Sequence, residues 1–408
     1  MALDGRLLQH PTRMEHSPPP LGLLFALSAV APVGFSVVVT SLPAVGDAFL
    51  AGNHEVFLVM SLFMLVFGAM QLVLGPLSDR FGRRPVLLVG LALFTSASLG
   101  CALAKSLDAL IVARCVQALG GCAALAIPRA IVRDCHTGVE GARAMTVLAM
   151  VQSIVPAVAP LLGGLLVAAA GWTAVFWFCA GYGLATLAWA ALSLPETRQP
   201  MTPGTAPSTL QATVGLLRRP AYLAYVLNGA LMTVPYVLYL TVVPMMFVRS
   251  LDLPPQAFGT YNLLLVPCIL LGSFAASLLA RRFAVHILIR SASLLALASL
   301  GLGLALAGEL SVWRMLLPLL LYITAHAVLF PSAMSAAIAG SPTIAGAAAG
   351  GIGSVQTGLG ALAIVAAGWL PAATAVPFLA MSCAAGIAGL LALLMASGGA
   401  AGTTRVRA

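Results

Sequence analysis

From Leu21 to Ala396 the chain is a succession of apolar runs, and each is about the ~20 residues a helix needs to cross a bilayer. Turns and isolated charges break the runs. The breaks predict twelve spans, at 21–45, 55–77, 85–104, 108–133, 143–170, 172–194, 221–249, 256–280, 285–308, 312–338, 343–370 and 372–396. Composition agrees: 61% of the 408 residues are hydrophobic and 8% are charged, with a mean hydropathy of +1.05. A water-soluble domain is about a quarter charged. Too little polar surface exists here to cover a soluble enzyme's core, so the expected fold is an all-α membrane protein of twelve helices.

The charges sit between the runs. Loop 46–54 carries Asp47 and no basic residue. Arg80, Arg83 and Arg84 follow span two, Arg133 and Arg143 flank the next such loop, and Arg198, Arg218 and Arg219 lie in 195–220. Arg281 and Arg282 follow span eight, and Arg405 and Arg407 end the chain. Basic and nearly neutral loops alternate, so the positive-inside rule places both termini and the 78–85 loop in the cytoplasm. The formal charge of +9 therefore reports membrane orientation and not nucleic-acid binding. The bilayer is the expected partner. No signal-peptide cleavage pattern follows the first twenty residues, and span one is expected to stay as an anchor.

The segment 195–220 is rich in Pro, Thr and Gly and divides the chain in two. The predicted domains are a cytoplasmic disordered tail at 1–20, a six-helix half at 21–194, a cytoplasmic linker at 195–220, a second six-helix half at 221–396 and a cytoplasmic tail at 397–408. A weak repeat links the halves: span two ends in Asp79-Arg80-Phe81-Gly82-Arg83, and span eight in Ala280-Arg281-Arg282-Phe283. Paired halves rocking about a site at mid-membrane is the logic of a secondary transporter. The seven cysteines show neither a CxxC pair nor zinc spacing. The six histidines are dispersed and Lys105 is the sole lysine, so no catalytic cluster, metal site or cofactor is expected.

One loop carries most of the remaining information. Gly75-Pro76-Leu77-Ser78-Asp79-Arg80-Phe81-Gly82-Arg83-Arg84-Pro85 reads as a charged hinge: Gly75 for close helix approach, Gly82 for a tight turn, Pro85 for the first turn of the next helix. Asp79 can pair with an arginine of the cluster and accept from a helix N-terminus of the other half, forming a latch that breaks when the halves rock. The loop resembles the signature between helices two and three of the major facilitator superfamily. Leu110 to Gly121, with Arg114, resembles that family's helix-four motif. The stretch with Pro156, Pro160, Gly163 and Gly164 resembles its antiporter motif, departing at Val155 and Ala159. Arg133-Asp134, Leu194-Pro195-Glu196-Thr197-Arg198 and Ala345-Gly346-Ala347 resemble the bicyclomycin and chloramphenicol resistance branch of the drug:proton antiporters. The resemblance implies a monomeric exporter in the bacterial inner membrane, two pseudo-symmetric halves, small amphipathic substrates and exchange against the proton gradient.

One departure stands out. Relatives of this branch commonly carry an acid in span one, where this chain has Ser36 within Pro32 to Pro43, and no Asp or Glu lies deep in any run. Arg114, Asp134 and His326 remain as candidates for proton coupling. Candidates for a substrate cavity are Ser36, Thr40, Gln71, Gln152, Asn228, Tyr236, Tyr239, Asn262 and Gln356, any of which can equally be an interhelical bond. A metabolite exporter or facilitator of the same fold, with weak or no proton coupling, is the alternative function.

Overall fold

The computed structural model describes residues 19–136, 138–197, 209–339, 345–371 and 374–403. Most of the expected N-terminal tail, the middle of the linker and the last residues of the C-terminal tail lie outside these. Among the described residues all regular structure is helical, and 12 helical segments are long and apolar enough to cross a membrane. In order they are Leu21–Val39, Asn53–Phe81, Arg83–Ala102, Leu107–Cys135, Gly138–Ala170, Thr173–Ser193, Pro220–Arg249, Pro255–Leu279, Val285–Ala305, Val312–Ala339, Gly346–Gly368 and Val376–Met395. They are numbered below as spans one to twelve.

The boundaries move where proline or a side chain intervenes. Span one stops at Val39, not 45. Thr40 and Ser41 turn their hydroxyls back on the carbonyls of Val37 and Val38, and a separate short helix, Leu42–Phe49, begins with Pro43 in its first turn. Span seven breaks into Pro220–Leu231 and Val234–Arg249. Pro235 has no N–H to continue the ladder there, and the Tyr322 hydroxyl donates to the carbonyl of Met232. Span eight likewise divides at Leu263 and Leu264, ahead of Pro267. Inside the expected linker, Thr209–Leu217 is helical and docks on span eleven, the Thr213 hydroxyl donating to the Ala347 carbonyl at 3.1 Å. The last helix runs on to Thr403, past the expected end at 396.

Two inter-half seams position everything else. Span two packs along span eleven, and span five along the start of span eight. The second seam depends on small residues. A Cβ at Gly164 would sit 2.6 Å from the Cα of Gln256, so the backbones touch only because glycine stands there. Gly163 lies in the same way against span one at Val37 and Thr40. Asn262 completes the seam by donating to the carbonyls of Pro156 and Ala157 at 3.0 and 2.8 Å. Proline at 160 in span five leaves the Pro156 carbonyl without its helical donor, and a side chain from the other half supplies one.

Candidate substrate cavity and charged hinge

Between the halves, partway along the spans, lies a partly open cavity of about 340 Å³. Span one contributes Phe35 and Ser36 to its wall, span two Phe63, Met64 and Phe67, and span five Gln152, Ser153 and Pro156. From the second half come Thr233, Tyr236 and Leu240 of span seven, His326 and Phe330 of span ten, and Gln356 and Thr357 of span eleven. The wall is largely apolar and aromatic with a few polar points, a composition that suits ligands of varied shape. It holds no aspartate or glutamate.

At the end carrying loop 46–54 the halves are shut over this cavity. Arg249 pairs with Asp47 at 2.8 Å and donates to Asn53 at 3.0 Å. The ring of His54 stacks on Trp369 with centroids 4.9 Å apart. The opposite end is the hinge face.

The expected cavity residues divide. Ser36, Gln152, Tyr236, His326 and Gln356 reach the wall. The others sit elsewhere, for reasons of bonding. Thr40 bonds its own helix, and Asn262 belongs to the seam. Asn228 donates to Ser293 and to the Gly389 carbonyl inside the second half. Gln71 is pressed against Gly353 in the seam between spans two and eleven. Tyr239 lines a separate cavity of about 70 Å³ within the second half, with Arg314 and Phe378. On the wall itself three of the polar groups, Thr233, His326 and Gln356, form one chain. The Thr233 hydroxyl donates to the Gly229 carbonyl, which leaves its oxygen to accept from Gln356 Nε2 and from His326 Nε2, each at 3.1 Å. That arrangement puts the imidazole proton on Nε2.

Arg114 is fully buried, between spans one, two and four, and does not reach the bilayer surface. It donates to the Gly34 carbonyl at 2.9 Å and to Gln117 Oε1 at 2.5 Å, and Gln117 passes the bond to Ser98. Its guanidinium lies 4.0 Å from the centroid of Phe63, whose ring stands on the cavity wall. Arg114 thus sits one aromatic ring behind the cavity. A second arginine escaped the reading of the sequence. Arg129, also in span four, donates to Gln152 Oε1. The available signal was a second basic residue in the same apolar run, next to Pro128.

At the hinge face the helix does not stop at Gly75. Span two continues to Phe81, and the break narrows to Gly82, whose φ is 99°. Gly75 faces open space and mediates no close approach. The needed glycine is Gly82: besides its positive φ, a Cβ there would lie 2.6 Å from Glu196 Oε2. Glu196, from the exit of span six, accepts from the backbone N–H of Arg83 at 2.9 Å and of Arg84 at 3.2 Å. A carboxylate at the positive end of a helix satisfies orphan donors and complements the dipole. Arg83 is the shared cation, pairing with Asp79 at 2.6 Å and with Asp134 of span four at 3.0 Å. It also donates to Ser78, and Arg84 donates to the Ala191 carbonyl. Asp79 therefore pairs with an arginine of the cluster, one turn away in its own half, and among the described residues no helix N-terminus of the other half donates to it. Asp134 is taken by Arg83 and lies off the cavity wall. The guanidinium of Arg80 sits 5.3 Å from the ring of Phe81.

Sequence comparison decides the family. Residues 24–364 match the model of the Major Facilitator Superfamily. The chain belongs to that superfamily. It is 31% identical over 357 residues to "Multidrug resistance protein D" of Escherichia coli strain K12, covering 85% of this chain and 89% of that one. It is 27% identical over 332 residues to "Multidrug resistance protein MdtL" of an Escherichia coli O127:H6 strain, covering 81% and 84%. In fold it matches a crystal structure of a D-xylose-proton symporter, with a TM-score of 0.71, 16% identity and 92% and 96% of the two chains covered. A bacterial homolog of the lysosomal transporter Spinster, in an inward-facing and occupied conformation, matches with a TM-score of 0.69 at 16% identity, over 93% and 94% of the chains. The twelve-helix transporter fold expected from the apolar runs is thus the fold of this multi-pass membrane protein.

Proposed function

We propose that this chain is a multidrug efflux transporter of the bacterial inner membrane, working by alternating access as a monomer, with the hinge face and both termini in the cytoplasm. The observation that carries the reading is the cavity between the halves, apolar and aromatic with few polar points, closed at one face by Arg249, Asp47 and Asn53. The names of its relatives point the same way, and the arginines of the hinge loop favour a cytoplasmic placement. Closed at the outer face, the cavity takes its substrate from the cytoplasmic side. Phenicol-like or bicyclomycin-like amphipaths, as handled by the resistance branch that the motifs resemble, are of a size and polarity such a wall suits.

Proton exchange for neutral substrates is assigned to His326. It is the one imidazole on a wall without carboxylates, and its Nε2 proton already sits in a hydrogen-bond chain shared by spans seven, ten and eleven. Expression in a pump-deficient host with a drug panel tests the efflux reading. Raised tolerance to several amphipathic compounds is expected, and no shift for any compound from correctly inserted protein would sink it. In proteoliposomes, His326→Ala should remove the response of neutral-drug flux to a pH gradient while leaving gradient-free counterflow in place.

A further inference from the structure

Three unpartnered polar points of the cavity share a capacity to donate. Gln152 fixes it most firmly: Oε1 accepts from Arg129, which has only donors to give, so Nε2 is the end left over. That Nε2 is buried and without a hydrogen-bond partner. The Ser36 and Tyr236 hydroxyls on the same wall are also buried and unpartnered. A buried polar group left unpaired is costly, and three on one wall point to a ligand that satisfies them. All three can donate. Behind them stand two cations with no carboxylate in contact among the described residues: Arg129 behind Gln152, and Arg114 behind the ring of Phe63. In a low-dielectric site those charges raise the cost of admitting a cation and lower that of an anion.

We propose that the cavity binds lipophilic organic anions, an apolar or aromatic body bearing one charged oxygen group such as a carboxylate or sulfonate. Ser36, Gln152 and Tyr236 donate to the oxygens, Phe63 and Phe67 cover the body, and Arg129 and Arg114 supply the field. This rests on the efflux reading and names its substrate class. It also accounts for a wall without a carboxylate. An anion leaving a cell that is negative inside moves with the membrane potential, so its export needs no proton-carrying carboxylate in the site.

The test uses the full chain in proteoliposomes with two probes of fixed and opposite charge on one ring, naphthalene-1-sulfonate and N,N,N-trimethyl-1-naphthylammonium. Vesicles are loaded with either, and a potassium diffusion potential drives each probe outward, with the lumen negative for the sulfonate and positive for the ammonium. Sulfonate exit should exceed that from protein-free vesicles at least tenfold, rise with the potential and ignore a pH gradient, while ammonium exit stays at the protein-free rate. Gln152→Glu, which sets a carboxylate beside Arg129, should cut sulfonate exit tenfold and admit the ammonium. Ser36→Ala and Tyr236→Phe, nearly isosteric and safe for folding, should each cut sulfonate exit several-fold. Ammonium carried by the wild type as fast as sulfonate overturns the proposal, as does sulfonate exit that follows the pH gradient. Protein that raises drug tolerance in cells yet carries neither probe overturns the anion assignment and leaves efflux standing. Sulfonate transport without any shift in tolerance supports the anion assignment and removes the drug-efflux reading.

Discussion

The first half grips the turn between spans two and three from several sides, whereas the equivalent turn of the second half stands free. In the first, Arg83 is shared by Asp79, Asp134 and Ser78, and Glu196 caps the start of span three. In the second, Arg281 and Arg282 are exposed and no described carboxylate pairs with either. Both halves nevertheless build six packed helices. The ion network is therefore not what makes the fold, since apolar burial and small-residue contacts do that twice over with and without it. Its work is local: it joins the hinge-face ends of spans two, three, four and six into one stiff body. In the other half the hinge-face ends of spans seven and eleven are joined by the Tyr222 hydroxyl donating to the Ala348 carbonyl, and among the described residues no ion pair ties the turn after span eight. Between two such bodies, rocking is expected to distort the second at its ends before the first.

The largest break in this contrast is Arg83→Ala. It leaves Asp79 and Asp134 facing one another without their shared cation, in a site where Asp134 is 15% exposed. Removing one partner of a buried pair costs about 3 kcal/mol. Thermal unfolding in detergent should move down by several degrees and transport should be lost, and a variant as stable and active as the wild type would show that the network is ornamental. Gly82→Ala comes next. The substitution forces a side chain into φ 99° and against Glu196 Oε2, a strain of about 1–2 kcal/mol. Glu196→Ala removes the clash together with the cap of span three, so the double variant should be less destabilised than the sum of the two single variants. Strict additivity would mean that the steric contact with Glu196 contributes nothing.

Burial pattern made most of the fold legible. Twelve runs of apolar residues became 12 spans because backbone groups in hydrocarbon leave no other arrangement. The ends were less legible, since they depend on single bonds: Ser41 to Val38 at the end of span one, and Tyr322 to Met232 at the break in span seven. No local pattern announces a partner ninety residues away in sequence. The cavity was half legible for the same reason. Ser36 and Tyr236 stand out as polar residues in apolar runs, but so do Asn228 and Asn262, and a run does not say which face its polar residue takes. Arg129 lay in plain view in span four, yet its importance comes from Gln152 on span five. Glu196, apparently a loop acid, becomes a helix cap only once spans three and six lie side by side.

The smallest expected effect is also the control for the comparison. Arg281 and Arg282 lie in the turn after span eight, the counterpart of the turn after span two that holds Arg80 and Arg83, and the shared positive charge would make them look equivalent. Their exposure says otherwise. Exposed arginines without carboxylate partners contribute within about 0.5 kcal/mol to stability, and their remaining role is to bias orientation, which the other basic loops supply as well. Arg281→Ala with Arg282→Ala should therefore insert, melt within a degree or two of the wild type and transport at the same rate. Measured beside Arg83→Ala, that variant separates a charge that a loop merely carries from one that helices are fastened by. A large loss in the double variant would show that the second hinge is also held, by contacts formed in another conformation of the cycle.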